Sequence, residues 1–533
     1  MIKRICGSMA VAGGVVLMLS LPVLSAKGEP PAGGKSDNRE TCYGCHEEVR
    51  GLKEGSKHAK LECSLCHQKL DEHLENSDNR PVTLLEHAVC GKCHQDQLAS
   101  FEKVNYEGAA HKEKGIPSGR SPMMDKLLAP YGFTIEHNEP RSHLFMVTDQ
   151  FVVDRFAGGR FTYKNGWYSV DATGKTWDIL KDRGAEFKMG ETGKAGNPTC
   201  IQCKSTDHIL KWKFMGDKDP RAKWDRTSDV IAVAKDTSNV MGCIHCHDPH
   251  GAQPRIVRDE LINRIDQGAK MFAGKDGKTD LKVISFRDGF RKIGIMEKAN
   301  ATMMCAQCHV EYACGKGFEF DSGKPVGFED RRTNHFPLVQ VQDILAHYKK
   351  LNFYDFRHAV TGARLVKLQH PEVESYMGSV HERAGVTCAD CHMPVVKNER
   401  GKKYRSHMMV RPHGNVKEAC MRCHPQLTEE QKAYQMDAIQ NYIRGKMRKA
   451  EYWLGQLIDT YAVAKRFGVD EAVLAQAREK HEEAHVLWEW WTAENSDGFH
   501  NPDLARESLA ASITASKEAV AVLNKALDER GKK

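Results

Sequence analysis

The amino-acid sequence predicts a mainly α-helical chain with little β-structure, on three observations. After Pro425 the sequence carries helix caps, stops and helical spacing of apolar residues over more than a hundred positions. Residues that favour strands gather in one short stretch, FTYKNGWYSVDATGKTW, whose Asn-Gly and Thr-Gly turns predict only a small hairpin. A mean hydropathy of −0.56 with 8% aromatic residues is poor for 533 residues, so side chains alone do not fill the interior.

Taken in order, the chain begins with the parts of a secretory signal: MIKR, an apolar run from Met9 to Leu24, and Leu24-Ser25-Ala26. Residues 1–26 are expected to be removed, and Cys6 with them. No later stretch stays apolar for the ~20 residues a membrane span needs, so the mature protein is expected to be periplasmic, with no membrane span. Residues 27 to about 38 read as a flexible leader rich in Gly, Pro, Ser and Lys.

Sixteen of the eighteen cysteines fall in eight Cys-x-x-Cys pairs: Cys42/Cys45, Cys63/Cys66, Cys90/Cys93, Cys200/Cys203, Cys243/Cys246, Cys305/Cys308, Cys388/Cys391 and Cys420/Cys423. In seven the next residue is histidine: His46, His67, His94, His247, His309, His392 and His424. Zinc or redox chemistry accounts for a CxxC but not for seven following histidines; covalent c-type haem accounts for both. Eight porphyrins supply the missing interior. The eight haems also bear sixteen propionates, which outweigh the formal charge of +7 and remove any argument for nucleic acid.

The eighth motif, CIQCK, ends in Lys204. An amine binds iron only when neutral, although free lysine has a pKa near ~10.4. Such a ligand marks an iron where substrate binds, with the other seven haems supplying electrons. Three motifs crowd between Cys42 and His94, a spacing suited to electron input. After Pro425, Thr428-Glu429-Glu430-Gln431 is a capping box that predicts a helix to about Phe467, stopped by Gly468. Asp470 predicts a second helix to about Glu494, and a third runs from Leu504 to about Arg530. Tyr452, Leu454, Leu457, Ile458 and the three tryptophans Trp488, Trp490 and Trp491 are expected to pack in the core or against haem edges, and His485 to be a packing or propionate contact.

From about Glu139 onward the chain resembles the pentahaem cytochrome c nitrite reductases, which reduce nitrite to ammonium. The segments that carry the resemblance are EPRSHLFMVTDQ, CIQCKS, MGCIHCHDPH, CAQCHVEY, KLQHPEVESYMGSVH and TCADCHMP. Three earlier motifs, and Cys314 close to Tyr312, make it resemble the octahaem members in particular. The resemblance implies a multihaem cytochrome c with a haem-packed core, Lys204 as proximal ligand, and a distal pocket of Arg155, Tyr312 and His370. It implies Ca²⁺ held by Glu311, Tyr312, Lys367 and Gln369, and a thioether between Tyr312 and Cys314. It also implies second ligands His143 for the His309 haem, His407 for His247, His500 for His392 and His381 for His424.

For the three N-terminal haems the residues point to His58, whose Gly-Ser-Lys-His context echoes Gly-Ser-Val-His381, then His73 and His111, with His87 and His137 as competitors. The expected organisation is a three-haem module at residues 27–115, a five-haem catalytic domain at 116–427, and a helical region at 428–533 that packs on it and forms an oligomer interface. The expected reaction is six-electron nitrite reduction, with hydroxylamine and sulfite as further substrates. A redox donor protein or quinol-linked cytochrome is the expected source of electrons. Two other readings stand beside it: a multihaem electron carrier, and an octahaem hydroxylamine oxidoreductase, whose histidine-ligated active haem CIQCK contradicts.

Overall fold

The computed structural model describes residues 39–103, 123–129, 142–147, 198–274, 276–409 and 411–531. The signal segment, the 161–177 hairpin, His111, His137 and Arg155 lie outside the described residues. Helices take up 49% of the structure and strands 10%, the mainly α balance that the sequence predicts.

Strands are short. The largest sheet has three of them: β1 (Arg255–Ile256), β2 (Lys282–Phe286) and β3 (Arg291–Ile295), with β3 in the middle and all pairs antiparallel. Around it run helices of one to two turns, among them α1 (Pro198–Gln202) and α2 (Glu372–Tyr376). Isolated helices this short are unstable in water. Here they are fixed by what they pack on, and each haem-binding motif sits at such a helix or turn.

Three long helices hold this assembly from one side: α3 (Glu429–Arg466), α4 (Glu471–Ala493) and α5 (Pro502–Gly531). The caps are those written in the sequence. Thr428 Oγ1 accepts from the Gln431 N–H at 3.2 Å while Gln431 Oε1 accepts from the Thr428 N–H at 2.9 Å, and Asp470 accepts from the Ala472 N–H. Leu454, Ile458, Leu487, Trp488, Trp491, Leu509 and Ile513 pack where the three helices meet. Tyr452 departs from the expectation. It is 53% exposed, because it lies on the opposite face of α3 from Leu454 and Ile458.

The C-terminal half of α4, buried all round, is the beam on which the central loops hang. Glu482 receives Arg364 at 2.8 Å, Glu489 receives Lys367 at 2.9 Å, and Trp490 Nε1 donates to Ser375 Oγ at 2.7 Å. His485 is wholly buried and hydrogen bonds Glu489 at 2.9 Å, the packing role expected of it. These contacts fix the 364–376 segment, which carries His370.

Candidate active site

The haem-binding motifs come together through a chain of neighbouring thiols. Cys42 is within hydrogen-bonding reach of Cys63, Cys66 neighbours Cys90, and Cys90 reaches Cys243. Cys246 neighbours Cys305 and Cys308; Cys308 reaches the backbone of Cys203 at 3.9 Å, and Cys305 reaches Cys388. Cys391 neighbours Cys420. The motifs therefore run in space from His46 through His67, His94 and His247 to His309, where the line forks to Lys204 on one side and to His392 and His424 on the other.

Cys42, Cys90 and Cys420 each belong to a short helix, and Cys45, Cys93 and Cys423 stand on the turn between that helix and the motif histidine.

Each of the seven motif histidines faces a second imidazole. Ring centroids are 6.2 Å apart for His46/His73, 6.3 Å for His58/His94 and 6.4 Å for His67/His250. They are 6.2 Å for His143/His309, 6.3 Å for His247/His407, 6.3 Å for His381/His424 and 6.2 Å for His392/His500. Two imidazole nitrogens each about 2.0 Å from one metal place their ring centroids roughly 6 Å apart, so these gaps are the size of an iron. Histidines that touch one another directly sit closer, as His335 and His347 do at 5.1 Å. Where the histidines are buried, burial suits the role, since a ligand must be neutral. It pushes His143 down to about 3, and His67 and His247 to about 4, in each case helped by the positive charge of the facing imidazole.

His250 is the residue that sequence reasoning missed. It faces His67, and it was not among the candidates His58, His73, His111, His87 and His137. The signal was present: Asp-Pro-His follows His247 immediately, too close to reach the far face of that histidine's own haem and hence free for another. His87 packs its ring on Phe101 and against Gly242, where an added Cβ would lie 2.4 Å from its Nε2; it faces none of the motif histidines among the described residues.

CIQCK is built on α1. The turn after it closes by Lys204 N–H to Ile201 O at 2.9 Å, and the Lys204 carbonyl accepts from Met241 N–H at 2.7 Å. Lys204 Nζ donates to Cys200 O at 3.4 Å. Cys200 packs on the apolar cluster that contains Tyr312, Cys314 and Phe336, and Arg258 Nη1 hydrogen bonds the buried amide of Gln202. The Tyr312 and His370 rings lie 6.2 Å apart and nearly parallel, at 27°. The lysine motif, Tyr312, Cys314 and His370 thus share one region; Arg155 lies outside the described residues. Glu372 comes within 3.7 Å of His309 Nδ1 and 3.9 Å of His370 Nδ1, holding charge between them.

Beside this pocket is an oxygen-rich knot. Glu311 accepts from Tyr348 O–H and from the Gln369 N–H, both at 2.6 Å, and the Gln369 side chain reaches the Lys367 carbonyl at 3.1 Å. Burial, with Asp355 and Glu489 nearby, pushes the Glu311 carboxyl up to about 8. Among the described residues no three His, Cys, Asp or Glu side chains cluster as metal ligands. One carboxylate with amide and carbonyl oxygens is instead a hard-oxygen set, and its surplus of buried negative charge fits a divalent cation such as Ca²⁺.

The sequence model of the cytochrome c552 family matches residues 174–533. The chain belongs to this family. Among curated relatives it is similar to the cytochrome c nitrite reductase subunit NrfA of Nitratidesulfovibrio vulgaris, 26% identical over 464 residues, which cover 80% of this chain and 75% of that one. It is 27% identical to cytochrome c-552 of Haemophilus influenzae over 440 residues, covering 78% and 69%. A structure of cytochrome c nitrite reductase from Desulfovibrio desulfuricans, described for two calcium sites in its catalytic subunit, superposes with a TM-score of 0.58 at 24% identity. It covers 83% of this chain and 86% of that one, a likeness of fold. For a cytochrome c552, the clustering of a lysine-ended motif with a tyrosine and a histidine is the feature with chemical content. No helix among the described residues is long and apolar enough to cross a membrane.

Proposed function

We propose that this cytochrome c552 is an exported, periplasmic octahaem nitrite reductase that converts nitrite to ammonium by six electrons. The observation that carries the reading is that Cys200 of the lysine-ended motif packs on the cluster containing Tyr312, whose ring faces His370, in a chain of this family. The family relatives named for nitrite reduction support the substrate. Eight Cys-x-x-Cys pairs, seven of them followed by a histidine that faces a second imidazole at 6.2–6.4 Å, support the haem count.

The cysteine pairs would hold eight haems, with His73, His250, His58, His407, His143, His500 and His381 as the second ligands of the His46, His67, His94, His247, His309, His392 and His424 haems. When bound, these groups supply one-electron transfer along the line of motifs and an open iron opposite Lys204. The residues around that position do the rest. Arg155 brings a permanent positive charge for an anionic substrate. His370 hydrogen bonds the substrate and delivers protons near neutral pH, with Tyr312 as a second donor. Glu372, between His309 and His370, keeps His370 oriented.

Glu311, the Tyr312 and Lys367 carbonyls and Gln369 are the proposed Ca²⁺ ligands. Glu311 precedes Tyr312 and Gln369 precedes His370, so one ion stiffens both. Cys314 and Tyr312 lie in one buried cluster, which suits a thioether between them. Hydroxylamine and sulfite are proposed as further substrates, and a redox donor protein or quinol-linked cytochrome as the electron source. Residues 428–533 are the proposed oligomer interface, since Tyr434, Tyr442, Tyr452, Val463 and Phe467 form an exposed stripe along one face of α3 and its C-cap.

The deciding experiment is ammonium production from nitrite with reduced viologen as donor. Wild type is expected to form ammonium; Lys204→His is expected to keep all eight haems by intact mass and to lose at least about tenfold in kcat. Equal rates in the two would refute the assignment of the open iron to Lys204. An all-low-spin ferric spectrum without nitrite-dependent viologen oxidation would make the chain an electron carrier instead.

A further inference from the structure

The second nitrogen of a metal-bound imidazole chooses a partner, and that partner sets how strongly the ring donates to the metal. Most resolved partners here are neutral oxygens. His58 Nδ1 meets Pro249 O at 2.9 Å, His73 meets Asn79 O at 2.8 Å, His407 meets Arg405 O at 3.0 Å, and His67 meets Thr83 Oγ1 at 3.2 Å. Where a carboxylate is near, it is distant or neutralised. Glu48 is 3.8 Å from His46 and partly exposed; Glu372 is 3.7 Å from His309 and shared with His370 at 3.9 Å; Asp248 is 3.6 Å from His250 and already paired with Arg255 at 3.2 Å.

His500 is different. Its Nδ1 lies 2.6 Å from Glu494 Oε1, and the Glu494 side chain is wholly shielded from solvent. The carboxylate is aimed by the backbone: Glu494 caps the C-terminus of α4, and its two oxygens accept from the N–H groups of Ser496 at 3.0 Å and Gly498 at 3.3 Å. The two amide donors fix the carboxylate in place, and its burial leaves little solvent to screen it from the imidazole.

We propose that Glu494 is a positioning residue that sets the reduction potential of the His392/His500 haem, lowering it relative to its neighbours. The inference rests on the reading of His500 as that haem's second ligand. A buried anion on the ligand favours the iron state with the higher positive charge, ferric over ferrous. The step affected is a one-electron exchange between adjacent haems: one iron is oxidised as the next is reduced. The His392 motif stands between the fork at His309 and the terminal His424 motif. A low-potential haem there is a barrier to electrons leaving the fork, and keeps them beside Lys204 rather than at the His424 end.

The test is a spectropotentiometric titration of the holoprotein, wild type against Glu494→Gln. The expected result is an unchanged number of low-spin haems with one couple moved to more positive potential and the rest in place. Unmoved couples in Glu494→Gln would overturn the proposal. The companion variant His500→Ala separates the two layers. Conversion of one low-spin haem to high spin supports the ligand reading; an unchanged spin state removes it, and the proposal with it. If Glu494→Gln does not accumulate as holoprotein, wild type still decides. Its ferric electron paramagnetic resonance spectrum must contain one low-spin centre with the narrowed g spread of a strongly donating, imidazolate-like ligand, and absence of that centre overturns the proposal.

Discussion

At the scale of single residues, the proposed iron ligands were readable from spacing on one side of each haem and not on the other. Cys-x-x-Cys-His is local, so its three positions stand together in the sequence; the opposite imidazole comes from wherever the chain folds back. His58 could be found because its context repeats that of His381. His250 offered only its place behind another motif. Replacing it is informative: His250→Ala is expected to convert one N-terminal haem from low to high spin without loss of covalent haem, read by magnetic circular dichroism.

The Glu311 knot makes a prediction of a different kind. With calcium absent, the native chain keeps a proton on Glu311 up to about pH 8, whereas the unfolded chain releases it near ~4.3. Between those values the native state binds more protons, so stability without calcium falls as pH rises across the window and levels off above it. Calcium in place removes the penalty. Thermal midpoints with calcium and with chelator should therefore differ little near pH ~5.5 and widely near pH ~8.5; a gap independent of pH would refute Glu311 as a calcium ligand.

At the scale of elements, the C-terminal helices were legible because their signals are local and redundant. Capping box, Asp cap and Gly stop each lie close to the end they define, and all three helices begin and end within about two residues of their expected limits. Tyr452 shows where periodicity falls short: it locates a helix, but which neighbours cover which face is a tertiary matter. Thr428→Ala should lower stability by about 1 kcal/mol through the lost cap. Trp491→Ala should cost about 3–5 kcal/mol, since its wholly buried ring packs where α3, α4 and α5 meet and its Nε1 donates to Ser508 Oγ at 2.6 Å. Chemical denaturation of the holoprotein measures both, and the order of the two effects is the firm part of the expectation.

At the scale of the whole molecule, the apolar stripe on α3 bears on assembly. Tyr442→Glu with Tyr452→Glu is expected to shift the protein to a smaller species in sedimentation velocity while leaving haem content and spin states unchanged; an unaltered sedimentation coefficient would exclude α3 as the interface. The N-terminal segment is held to the rest of the chain by more than packing. Ser56 Oγ donates to His250 O and His58 Nδ1 meets Pro249 O, contacts across 194 and 191 positions. Ser100 Oγ accepts from the His407 N–H at 2.9 Å, and Asn398 reaches Asp96 at 3.1 Å.

That interlock constrains how the protein is made. With the proposed export from the N-terminus, Cys63, Cys66 and His67 would reach the haem-attaching machinery before His250 has crossed the membrane. On the proposed ligation, the haem at Cys63 and Cys66 would lack its second ligand until the Asp-Pro-His segment arrives. Export, haem attachment and closure of the 56–58 loop on residues 249–250 would then be one coupled process, with the delivery of His250 as its last act.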